Sequence, residues 1–421
     1  MTPRPSAAPG TSTTDPGAER FGAGHPVVKL LAVLLVAGCL RPALTSVGPV
    51  LDLVGADTGL GTTALGALGA LPLLAFAALS PVVHRPGARF GAERVVLWAL
   101  VALAAGIAVR SLPGAAWLWA GTAVAGASIA AGNVLVPSIV KRDHPGAVSR
   151  VTGLYTAVMT GFAALASGVA VPIATGYGWR WSLAVWAAPA LLAAAVWTMR
   201  TRGPRGPRGR ADVAGAAAPA VSAAPEKPVW RSAVAWQVTF FMGLQSTTFY
   251  LMVNWLPTIE IARGVPASTA GWYLFLFQAV GIVSGLAVIA VMGARADQRA
   301  TGVLVSLPMA AAMAGMVWAP GWSPVWVVVA GIASGSSIVV ALALIGLRTR
   351  TFSQTAKLSG MAQSVGYLLA AAGPIAAGRL ADGSGTWTPV LALIAGIALA
   401  QTCVALWAGR DRYTHPEPVN T

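Results

Sequence analysis

Residues 202–210 read RGPRGPRGR, and residues 214–228 continue as AGAAAPAVSAAPEKP. Proline, glycine, alanine and charge in this mixture cannot bury enough apolar surface to order a core, so the stretch reads as a linker over about 200–232. What lies on either side of it decides the architecture. Six apolar runs precede it, at about 27–50, 62–83, 94–112, 116–140, 151–173 and 182–199. Six more follow, at about 233–257, 270–292, 302–319, 325–346, 359–381 and 387–409. Each is long enough to cross a hydrocarbon layer of roughly 30 Å as a helix. The 421 residues are 56% hydrophobic and only 10% charged, against about 25% charged in a soluble domain. The expectation is an all-α membrane protein of twelve transmembrane helices, with six-helix bundles at 27–199 and 233–409. Tails at 1–26 and 410–421 flank them.

The net charge of +15 raises nucleic acid as a partner, but the positions of the charges argue otherwise. With both termini in the cytoplasm, 23 of the 28 lysines and arginines fall on the cytoplasmic side. Arg110, Arg180 and Arg263 fall in outer loops, and Arg41 and Arg379 fall within helices. That bias is the positive-inside rule and orients the chain in a cell membrane. Nucleic acid is therefore not expected, and the lipid bilayer is. Cys39 and Cys403 sit inside apolar runs as small hydrophobes, and Trp255 and Trp272 read as members of an interfacial aromatic belt.

The two groups of six repeat each other. SPVVHRPGAR after the second run corresponds to GARADQRA after the eighth, RVTGL at 150–154 to KLSGM at 357–361, and GWRW before the sixth run to GTWT before the twelfth. Arg41 falls opposite Gln245, 204 residues on. Offsets in so narrow a band point to a parallel duplication, the plan of many transporters built around a central site.

On these features the chain resembles the major facilitator superfamily. Within it, LRPALTSVGPVL at 40–51, GNVLVPSIVKRDHP at 132–145, GLQSTTFYLMVNWLP at 243–257 and QSVGYLLAAAGP at 363–374 are similar to the cyanate and 2-nitroimidazole permease family. The resemblance implies transport by alternating access and a conformational latch in the loops after helices two and eight. The latch residues it marks are Arg85, Arg89, Asp297 and Arg299. Ser80 and His84 stand where the superfamily pattern has glycine and aspartate, so the latch is either weakened or carried by Asp297. Ordinary loop charge is the competing reading.

Arg41 is the ionisable residue deepest in a run, about 14 residues or roughly 21 Å from its start. An intramembrane charge is costly and normally faces a cavity or a partner. Pro42, Gly48 and Pro49 should bend or unwind the helix around it. One reading makes Arg41 the contact for an anionic or polar solute; the other makes it a structural arginine bonded to carbonyls. Thr45, Asn133, Tyr155, Gln245, Gln363 and Tyr367 complete the candidate substrate site, Gln245 across the cavity from Arg41. Acting as interhelical glue is the alternative role for each.

The acidic residues all lie in loops, tails or at helix ends, which disfavours an antiporter that titrates a buried acid. Uniport, exchange and ion-coupled symport stay open, with a proton or another ion as the coupled species. An enzyme would need a nucleophile, metal cluster or acid–base pair at membrane depth, and none is present; no Gly-x-x-x-x-Gly-Lys loop occurs either. The expected protein is a monomeric, cofactor-free carrier of a small polar or anionic solute, with a broad-specificity drug exporter as the alternative.

Overall fold

A computed structural model of the chain describes residues 26–201, 228–293 and 295–414. The expected N-terminal tail, most of the linker and the last seven residues lie outside the described residues. The first crossing is assembled from α1 (Pro26–Leu40), α2 (Pro42–Thr45), a 3-10 turn (Gly48–Val50) and α3 (Leu51–Thr58). Next come α4 (Thr62–Leu79), the short loop helix α5 (His84–Phe90), α6 (Ala92–Arg110), α7 (Ala115–Asp143) and α8 (Val148–Tyr177). The sixth crossing is α9 (Trp179–Ala184) with α10 (Ala187–Thr201). The second six are α11 (Ala233–Ile261), α12 (Ala267–Met292), α13 (Arg299–Trp318), α14 (Ser323–Leu347), α15 (Phe352–Ser384) and α16 (Thr388–Ala408). Two one-residue connections, Gly91 before α6 and Gly178 before α9, have φ of +92° and +87°, a conformation glycine reaches without strain.

Ten segments are long and apolar enough to cross a membrane. The other two crossings, α11 with 29 residues and α15 with 33, are long but more polar. Their position explains it: α11 buries Gln245, Ser246, Thr247, Thr248, Asn254, Thr258 and Glu260 against neighbouring helices. A helix shielded by protein has no need to be apolar all round.

The two six-helix halves meet along α4 with α15 and α8 with α12. The face where α1 begins carries the basic loops and is called the basic face. At the opposite face the halves press together through glycines. A Cβ on Gly48 would strike the Val253 carbonyl, one on Gly66 the Pro374 carbonyl, and one on Gly378 the Thr62 carbonyl. Asp382 of α15 accepts hydrogen bonds from the Thr63 backbone N–H (2.9 Å) and hydroxyl (2.6 Å), so it caps the start of α4 across the seam. Trp255, expected in an interfacial belt, is fully buried here and donates to the Pro374 carbonyl at 3.1 Å. At mid-depth Gln278 donates to the Ser167 hydroxyl at 2.8 Å. By contrast, Gly153 and Gly161 of α8 and Gly360 of α15 border open space.

Each half is tied together at the basic face by its own charges. In the first, Arg142 pairs with Glu93 and Asp143, and Arg200 pairs with Asp143. In the second, buried Arg348 donates to the carbonyls of Ala408 (3.0 Å), Ala296 (2.9 Å) and Gly409 (2.9 Å).

Candidate functional site

The break in the first crossing follows from its prolines. Pro42 has no N–H to continue α1, so the helix stops at Leu40 and restarts at Pro42, with Arg41 between. Pro49 cannot donate to the Thr45 carbonyl, and the Ser167 hydroxyl donates there instead at 3.2 Å. The Val47 N–H turns to the Leu44 carbonyl at 3.2 Å in a tightened turn. The Ala43 carbonyl, which a regular helix would have paired with Val47, instead accepts from Arg110 Nη1 at 2.5 Å. Unwound backbone at membrane depth is tolerated where protein groups satisfy it in this way.

Held at this break, the half-buried Arg41 lays its guanidinium over the ring of Phe249 in α11, 5.5 Å from the centroid. Such a contact suits a cation in a partly desolvated site. Three phenols feel its charge: Tyr155 from α8, Tyr250 from α11 and Tyr367 from α15. The rings of Tyr250 and Tyr367 form a continuous wall with Phe76 and Phe249. Phe76 meets Tyr367 edge-on at 5.4 Å, Tyr250 meets Tyr367 at 6.4 Å, and Phe249 meets Tyr250 at 5.1 Å. Tyr155 is 7% exposed and its hydroxyl has no hydrogen-bond partner. No carboxylate pairs with Arg41 among the described residues. An unneutralised cation, a phenolic hydroxyl without a partner and flat aromatic faces thus come together at Arg41, a set suited to an anion or a polarised planar ring.

Of the residues singled out from sequence, Arg41, Tyr155 and Tyr367 come together. Thr45 lies beside them, but its hydroxyl donates to the Ala163 carbonyl at 2.8 Å and so ties α2 to α8. Gln245 is buried, and its amide donates to the Ser246 hydroxyl at 2.8 Å within its own helix. Phe249, one turn further along, occupies the place opposite Arg41. Gln363 lies one turn towards the basic face from Tyr367 and donates to the Ser359 hydroxyl at 2.9 Å. Asn133 is half-buried on α7, and no described interaction links it to Arg41.

Among the described residues no ion pair joins Arg85 or Arg89, expected in a latch, to Asp297 or Arg299. Asp297 pairs with its loop neighbour Arg299 at 2.7 Å, which holds its carboxyl below the usual carboxylate range. Arg89 packs over Phe90 instead, 5.1 Å from the ring centroid.

One correction concerns Arg110, expected in an outer loop. It is the last residue of α6 and is 1% exposed, its side chain folded inward to the Ala43 carbonyl. Position at the end of an apolar run looks interfacial in sequence; the free carbonyl that draws the side chain inward exists only once the first crossing is broken. Phe76, Phe249 and Tyr250 were also not assigned to the site. Phe249 shares a helix face with Gln245, and that spacing was the one signal for it.

The profile of the Major Facilitator Superfamily matches residues 33–330. The chain is 38% identical over 387 residues to the 2-nitroimidazole transporter of Escherichia coli (strain K12), covering 92% of this chain and 96% of that protein. It is 26% identical over 362 residues to the cyanate transport protein CynX of the same organism, covering 85% and 91%. In fold it is similar to the crystal structure of a D-xylose-proton symporter, with a TM-score of 0.73 at 13% identity, covering 91% of this chain and 96% of that one. The chain is thus a multi-pass membrane transporter rather than an enzyme, and it belongs to the major facilitator superfamily, in the group of the 2-nitroimidazole and cyanate transport proteins.

Proposed function

We propose that this protein carries a small, flat, polar or anionic solute, a nitroimidazole-like heterocycle or a cyanate-like anion, through the Arg41 chamber by alternating access. The observation that carries the reading is the unneutralised Arg41 guanidinium against Phe249 and three phenols, one with a free hydroxyl. A planar ring can stack on those faces while its polar substituents meet the cation. The two relatives transport solutes of these two kinds by name, which supports the same class here.

Thr45, Gln245, Gln363 and Asn133 act around this centre, the first two through packing of the broken helix and of α11. The bundles at 27–199 and 233–409 are the rocking bodies. The positive-inside bias puts the basic face and both termini in the cytoplasm, so the glycine-sealed face is the outer one and this conformation is inward-facing. In the outward-facing state Arg85 and Arg89 approach the Asp297–Arg299 pair and form the latch. A monomer is the proposed working unit, with a proton or another ion as the candidate coupled species. A broad-specificity drug exporter is the second reading, favoured by the aromatic wall and opposed by the charge of Arg41.

The test is uptake of radiolabelled cyanate and of 2-nitroimidazole into proteoliposomes by the wild type and by Arg41→Ala. The substitution should lower transport to background while leaving thermal unfolding within a few degrees of wild type. Undiminished transport by Arg41→Ala overturns the site, and preferential transport of large apolar cations selects the second reading.

A further inference from the structure

Beneath the glycine-sealed face lies a cavity of about 30 Å3, bounded by Ala43, Leu68, Pro72, Arg110, Tyr250 and Asn254. Its walls come from both halves: α2, α4 and α6 from the first, α11 from the second. Arg110 is 1% exposed, and only its Nη1 is engaged, on the Ala43 carbonyl. Its Nε and Nη2 have no hydrogen-bond partner, and neither does Nδ2 of Asn254, itself 7% exposed. The Asn254 amide packs against Gly69, where a Cβ would strike it. No carboxylate pairs with Arg110 among the described residues.

An arginine does not give up its proton in a protein. A buried, unpaired guanidinium is among the most costly arrangements a fold can hold, unless a counter-charge completes it. Here three unpartnered N–H-bearing nitrogens belong to two side chains that line one cavity, which has room for about one or two water-sized spheres. We infer that this cavity is a binding site for a small inorganic monoanion of about halide size, held by Arg110 and Asn254 across the seam between the halves. A bound anion accepts from the first half through Arg110 and from the second through Asn254, so it stabilises the conformation in which this face is shut. The site differs from the Arg41 chamber in its charged group, Arg110, although Tyr250 stands in the wall of both.

The experiment is thermal unfolding of the purified full-length protein in chloride-free gluconate buffer, titrated with chloride at constant ionic strength. The wild type should gain a few degrees in a saturable manner, as a ligand that binds the folded state must produce. Arg110→Gln should lose that dependence. Asn254→Asp is the control that needs no loss of packing: its carboxylate supplies the anion from within. It should unfold in chloride-free buffer at or above the chloride-saturated wild-type temperature, with no further response. Arg41→Ala should keep the chloride response whatever its transport activity. Absence of a chloride effect in the wild type means that water fills the cavity and overturns the proposal. A full chloride effect in either Arg110→Gln or Asn254→Asp overturns it as well.

Discussion

Arg110 and Arg348 are equally buried, each 1% exposed, yet they are treated in opposite ways. Arg348, at the basic end of α14, donates to three carbonyls at 2.9–3.0 Å and lies 3.9 Å from Asp411. It clamps the loop before α13 and the end of α16 to α14, all within one half. Arg110 has one carbonyl and two idle nitrogens, and it sits where the halves meet. Within a rigid body a buried charge is fully satisfied by protein. At a seam that opens and closes, permanent partners would resist the motion, so donors are left for something that can leave.

The largest effect on stability is expected from breaking the satisfied member. Arg348→Ala removes the side-chain donor from the carbonyls of Ala408, Ala296 and Gly409, of which Gly409 keeps the Gln298 N–H, and should cost about 2–4 kcal/mol, read as a lowered unfolding midpoint. Arg110→Met in chloride-free buffer should differ from wild type by less than about 1 kcal/mol or be stabilising, because it removes an unpaired charge. Equal losses for the two would erase the contrast.

Next in size is the seam itself. Gly66→Val puts a branched side chain into the Pro374 carbonyl and the Trp255 ring, so the opposite face should fail to close. Transport should drop by about tenfold or more, an effect worth about 1.4 kcal/mol or more on the conformational equilibrium. Labelling of a cysteine placed at this face should rise in parallel. Unchanged labelling would show that the seal does not depend on close glycine contact. The smallest effect is expected from Asp382→Asn, which weakens an exposed cap on α4 across the same seam. The closed state should lose roughly 0.5 kcal/mol, seen as a slight increase in the same labelling.

Much of this was legible in the chain. The twelve apolar runs were apparent from length and hydropathy, including the two more polar ones that form α11 and α15. Arg41 stood out because a charge deep in an apolar run is rare, and Pro42 beside it foretold the break. Tyr367 followed from its spacing to Gln363. The amides misled more: Gln245 looked like the partner of Arg41 by repeat symmetry, but its own helix supplies Ser246, and the aromatic Phe249 takes the place.

By itself the sequence determined the number of crossings, their division into halves, the break at Arg41 and the scarcity of acids at membrane depth. Those are properties of hydropathy, proline chemistry and charge count, which act locally and leave a local trace. Only the tertiary structure decided that Arg110 turns inward, that Trp255 is buried at the seam and that three phenols from α8, α11 and α15 share one cation. The physical reason is that a side chain's partner is set by which backbone groups the fold leaves unsatisfied and which helices it brings within a few ångströms. Neither is written at any single position along the chain.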